Sequence, residues 1–152
     1  MRYLLMIYMN PEMFETLSEE ERNAVFSAHD AFQAATKDSG ELIGFAALAD
    51  PSNSSTVRVR DGVPAVTDGP YVEAKDFLAG YYVVECETAE RAGELAAQIP
   101  DAHYTAIEVR PVMMLHQGQS AASMASATAW PTFWPPAASV IPTKKSSPEA
   151  TN

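Results

Sequence analysis

Three histidines, one cysteine and six tyrosines are the groups in this 152-residue chain best suited to moving protons or attacking an electrophile. His29 sits between Val25 and Phe32 in a stretch with helical apolar spacing. An imidazole there has two readings. It is a general acid or base if a carboxylate lies beside it, or a core histidine with satisfied hydrogen bonds. Asp68 opens an Asp68-Gly69-Pro70 turn, where Asp is common because its side chain bonds nearby backbone amides. Tyr8, Tyr81 and Tyr82 lie in strand-like runs, where tyrosines mostly pack, although each could lend a hydroxyl to a substrate pocket. Glu73 and Lys75 follow the turn and read as solvent-facing. His103 and His116 have no metal-ligand spacing to another His, Cys or carboxylate. The chain also lacks a serine elbow, a P-loop and a dinucleotide fingerprint. The expectation is no metal and no cofactor.

The elements that must position these groups can be read from pattern. Residues 3 to 9 are apolar on both alternating faces, as in a strand covered on both sides. Ser18 and Glu21 form a capping box for a helix whose buried stripe is Val25, Ala28, His29, Phe32 and Ala35, with Gly40 as its stop. Residues 41–48 read as a second strand. Residues 56–60 and 63–67 read as a hairpin around Asp61-Gly62, with Pro64 marking an edge and one face of the first strand solvated. Residues 77–86 are the strongest strand. Thr88 caps a second helix with the stripe Ala92, Leu95, Ala96 and Ile99, ended by Pro100-Asp101, and residues 104–112 close the pattern as a last strand. Without the hairpin the order is βαββαβ, an α+β ferredoxin-like plan with helices on one sheet face. The other face, apolar and uncovered, argues for a homodimer.

Composition narrows the partners. A formal net charge of -10 with scattered basic residues disfavours nucleic acid and anionic membranes. The lone Cys86 permits no disulfide within the chain and reads as a small core residue. The apolar start is short, lacks a small-residue cleavage site, and no run is long enough to span a bilayer, so the expected location is cytoplasmic. The domain is expected over residues 1–113. Residues 114–152, rich in Ala, Ser, Pro and Thr, read as a disordered tail, with Trp130, Phe133 and Trp134 as its apolar exceptions.

The ordered motifs carry a family resemblance. They are Tyr3-Leu4-Leu5-Met6-Ile7-Tyr8, the helix containing His29, Thr56-Val57-Arg58-Val59-Arg60-Asp61-Gly62, Thr67-Asp68-Gly69-Pro70-Tyr71, Gly80-Tyr81-Tyr82 and Ile107-Glu108-Val109-Arg110-Pro111-Val112. Together these resemble the YCII-related (YciI-like) proteins, in particular the branch named for an Asp-Gly-Pro-Phe motif. Tyr71 stands where that motif has Phe. The resemblance implies a ferredoxin-like fold paired into a dimeric α+β barrel. It also implies an active site built on a His and an Asp, with His29 matching the family's helix histidine and Asp68 the candidate acid. Two functions stay open: a cofactor-free acid-base enzyme for a small organic substrate, or a ligand-sensing or protein-binding regulatory module linked to transcription.

Overall fold

Strand β1 (Arg2–Met9) runs through the middle of a four-stranded antiparallel sheet whose order is β2-β5-β1-β6, with β2 (Leu42–Ala47), β5 (Phe77–Glu85) and β6 (Ile107–Pro111). The computed structural model describes residues 1–115. Helices α1 (Pro11–Thr16) and α2 (Glu19–Asp38) link β1 to β2, and α3 (Ala89–Ala96) links β5 to β6. Between β2 and β5, strands β3 (Ser55–Arg60) and β4 (Val63–Asp68) pair only with each other, as a separate sheet. The fold is α+β and ferredoxin-like with an inserted hairpin.

Register assigns the sheet's two faces. The pairings Tyr3↔Val84, Leu5↔Tyr82, Leu5↔Val109 and Phe45↔Tyr82 place these residues on one side. Phe32 of α2 and Ala92, Leu95 and Ala96 of α3 pack there, with Ile99, into the main core. Leu5, Tyr82, Val84 and Ile99 are fully buried, and full burial of an aliphatic side chain is worth roughly 1.5–3 kcal/mol. The opposite side carries Leu4, Met6, Tyr81 and Val83, again in register.

The helices begin and end where their caps dictate. The Ser18 hydroxyl accepts from the Glu21 amide while the Glu21 carboxylate accepts from the Ser18 amide, completing the capping box. Gly40, at φ 75, lies just beyond the C-terminus of α2, in the left-handed conformation that favours glycine. Thr88 caps α3 by accepting from the Arg91 amide.

The structure adds one helix to the expected pattern and corrects three expectations. The residues after β1 form α1, which starts at Pro11 because the Asn10 side chain accepts from the Glu12 and Met13 amides. The buried positions of α2 are Val25, His29, Phe32 and Thr36; Ala28 and Ala35 are exposed, since contact with the sheet is narrower than the apolar pattern. Residues 104–106 do not belong to the last strand: a 3₁₀ turn over Pro100–His103 precedes them and β6 starts at Ile107. Both faces of the hairpin are largely exposed, where one was expected to be covered.

Candidate functional site

His29 lies on the sheet-facing side of α2 and is 5% exposed. Its Nε2 stands 2.7 Å from Oδ2 of Asp101, in the 3₁₀ turn between α3 and β6. Its Nδ1 is 2.9 Å from the hydroxyl of Tyr82, in the middle of β5. Gln33, one turn further along α2, donates its amide to the same hydroxyl at 3.4 Å. An ionised carboxylate can only accept, so the tautomer with its proton on Nε2 suits this arrangement and leaves Nδ1 to accept from the Tyr82 hydroxyl. Tyr82 is itself held by Phe32, edge-on with centroids 4.9 Å apart, and by Phe45 at 5.7 Å.

The two oxygens of Asp101 differ. Oδ2 is buried, and despite the short distance to Nε2 no donor is well aligned with it. The residual exposure of the side chain, 11%, falls on the rest of the group. Asp101 borders a small crevice with Met13, Phe14, Leu17, Val25 and Tyr104, whose volume of about 10 Å³ is close to the space of one water. Met13, Tyr104 and Thr105 also line a much larger open groove of about 660 Å³ at the same end of the sheet. The dyad therefore lies behind the wall of a groove large enough for a small molecule.

Three tethers build that groove. A bulge in the β1–β5 pairing between Ile7 and Tyr8 shifts the register at Tyr8, as bulges beside sites often do. The Tyr8 hydroxyl then donates to Glu108 at 3.2 Å. Burial raises the pKa of this phenol, and the Glu108 carboxylate raises it further, so the hydroxyl keeps its proton. Asn10, while capping α1, donates its amide to Asp76 at 3.0 Å and ties the helix to the segment before β5. The Thr105 hydroxyl donates to the Tyr8 carbonyl and fixes the approach to β6.

The residues singled out in the sequence are distributed unevenly. His29 and Tyr82 are brought together, and Tyr8 lines the groove. Tyr81 is half-buried on the opposite sheet face, in register with Met6, away from the helix-covered side. Asp68 ends β4, pairs in register with Ser55 and is exposed; the carboxylate at His29 is Asp101 instead. Lys75, read as merely solvent-facing, lines the groove. His103 is exposed in the 3₁₀ turn, while His116, Trp130, Phe133 and Trp134 lie outside the described residues. Among the described residues, no group of three or more His, Cys, Asp or Glu could hold a metal ion, and no helix is long and apolar enough to cross a membrane.

Asp101 escaped the sequence reading because it looked like a helix stop, 72 positions from His29. The signal was in the topology. In a βαββαβ order, the β1–α2 and α3–β6 connections lie at the same end of the sheet, and Asp101 is the one acidic residue in the second of them, residues 100–106.

Comparison with known proteins agrees with this architecture. The family model described as YCII-related domain matches residues 1–116. An uncharacterised protein of Rhizobium meliloti (strain 1021) is 28% identical over 121 residues, an alignment that covers 78% of this chain and 98% of that protein. With a ferredoxin-like fold and a family match over most of its length, the chain belongs to the YCII-related domain family.

Proposed function

We propose that this YCII-related domain is a cofactor-free acid-base enzyme that takes a small organic molecule in the groove beside Tyr8 and Tyr104, with Asp101 as the group that meets it. The observation that carries the reading is the close contact between His29 Nε2 and Asp101 Oδ2 behind the wall of that groove, where Asp101 borders a crevice that shares Met13, Tyr104 and Thr105 with it. Both ring nitrogens of His29 face a partner, and the ring is nearly inaccessible. Asp101 does not line the groove itself, but it borders the adjoining crevice and is the member of the pair nearer to a ligand there. In this reading Asp101 accepts a proton from a carbon or oxygen of the ligand, Nε2–H of His29 supports the carboxylate, and the proton returns to a different atom of the same ligand. The net reaction is an isomerisation, with no oxidant or reductant required.

The test is a panel of small lactones and enolisable keto acids incubated with the protein in D₂O and followed by proton NMR. Deuterium uptake or isomerisation that falls at least about a hundredfold in Asp101→Asn supports the reading, the scale expected for a general base. Turnover of the panel no faster with wild type than with that variant overturns it. The regulatory alternative draws on one observation, the engagement of both His29 nitrogens, which suits binding without turnover. Saturable ligand binding with no turnover would favour it.

We further infer that two copies pair, as the resemblance to YCII-related proteins implies. Support comes from Leu4 and Tyr81, half-buried on the face opposite the helices beside the buried Met6 and Val83, and bordered by the Arg2–Glu85 and Glu108–Arg110 ion pairs. Light scattering is expected to give twice the 16.5 kDa chain mass, and Leu4→Glu to reduce it; a wild-type monomer at working concentration contradicts the pairing.

A further inference from the structure

The groove carries charge as well as shape, and its charges are not equally committed. Asp76 takes the Asn10 amide, and Tyr8 gives its hydroxyl to Glu108. Lys75 is the exception. It lines the groove, is exposed, and its ammonium makes no ion pair or hydrogen bond among the described residues. The chain has 20 acidic against 10 basic side chains, so its field repels anions in general. An anion entering this groove meets a cation with nothing else to bind. Tyr104, 40% exposed, Tyr8 and Met13 supply aromatic and thioether surface alongside it.

We propose that the groove takes a small aromatic carboxylate, with Lys75 as the anchor for its carboxylate and the walls formed by Tyr8, Tyr104 and Met13 as the seat for its ring. This deepens the acid-base reading, on which it rests for the identity of the site. Anchored at Lys75, the ring lies beside Thr105 and Tyr104, two of the three residues the groove shares with the crevice bordered by Asp101. Asp76 lies in the same groove, so the net charge offered to a ligand is balanced, and selection against neutral analogues depends on Lys75 alone.

The experiment is an amide NMR titration of the full chain with sodium benzoate and, separately, with benzamide. Benzoate is expected to shift the Tyr8, Met13, Tyr104 and Thr105 signals saturably. Benzamide, and benzoate with Lys75→Gln, are expected to bind roughly fivefold more weakly, the effect of losing one solvent-accessible ion pair. Equal affinity for benzamide, indifference to Lys75→Gln, or no saturable shift at these four residues overturns the proposal. If benzoate binds through Lys75 but no panel molecule turns over, only the acid-base reading fails. Turnover with Lys75-independent binding removes only the anchor.

Discussion

The four-stranded sheet and the inserted hairpin use similar residues to opposite effect. In the sheet, Leu5, Tyr82 and Val84 are fully buried beneath the helices, and the polar groups that enter with them, His29 and Asp101, meet each other. In the hairpin, Val57, Val59, Val63 and Val66 are each more than 60% exposed, and Asp68 stands in solvent. Register puts Val57, Val59, Pro64 and Val66 on one face. A two-stranded hairpin is at best marginally stable by itself, so turn chemistry carries more of the burden there. Asp61 and Gly62, at φ 52 and 79, supply a turn with both central residues left-handed, and the Arg58 guanidinium lies over the Tyr71 ring at 5.2 Å. The contrast teaches that a motif conspicuous in sequence can mark a turn, while the buried His29–Asp101 pair takes its carboxylate from a position with no local signature.

Substitutions can break this contrast, and they fall in a clear order. Asp101→Ala leaves His29 buried without its carboxylate and is expected to cost about 3 kcal/mol in urea unfolding. Asp68→Ala should change stability by no more than about 0.5 kcal/mol, as exposed substitutions do. Equal costs would erase the distinction. Gly80→Ala comes next. A β-carbon there would lie 2.7 Å from the Ala46 carbonyl, where β2 and β5 approach closely, and about 1–3 kcal/mol is expected from that overpacking. Gly62→Ala in the hairpin has open space around it and strains only its left-handed backbone, at about 1 kcal/mol. Thermal denaturation of both variants checks the ranking. Tyr82→Phe should cost about 1–2 kcal/mol, because it strips Nδ1 of His29 and the Gln33 amide of their common partner.

The smallest effect lies on pH. Hydrogen bonds from Arg91, and then Ser39, lower the pKa of Glu41 in the folded chain. Its contribution is therefore present above the unfolded carboxylate pKa and is lost as pH falls through the lower folded value. Arg91→Gln should flatten the loss of stability below about pH 4.5 by under about 1 kcal/mol, because Arg91 is 41% exposed and screened. Urea midpoints of the two proteins at acid and neutral pH measure it.

Much of the fold was legible because local rules and tertiary packing agree. The Ser18-Glu21 box, the Thr88 cap, the Asp61-Gly62 turn and the Ala92-Leu95-Ala96 stripe all form as their residue types require, whereas Ile99, expected on that helix, is buried beyond its end because α3 stops at Ala96. Reading failed where packing overrides pattern. Ala28 and Ala35 have apolar spacing but no sheet beneath them, whereas Thr36 is buried with its hydroxyl donating to the Phe32 carbonyl. Of the candidate site, His29 was visible from its place on the stripe, and Tyr82 only as a strand tyrosine. Asp101 and Lys75 depend on long-range assembly, which residue spacing along one chain does not encode.

The most direct test of the dyad is the ring nitrogen spectrum of His29, recorded by NMR in wild type, Asp101→Asn and Asp68→Asn. With Asp101 as the partner, the wild-type ring carries its neutral-state proton on Nε2, Asp101→Asn shifts the ring signals, and Asp68→Asn leaves them in place. Signals that move with Asp68→Asn and ignore Asp101→Asn would contradict the pairing of His29 with Asp101.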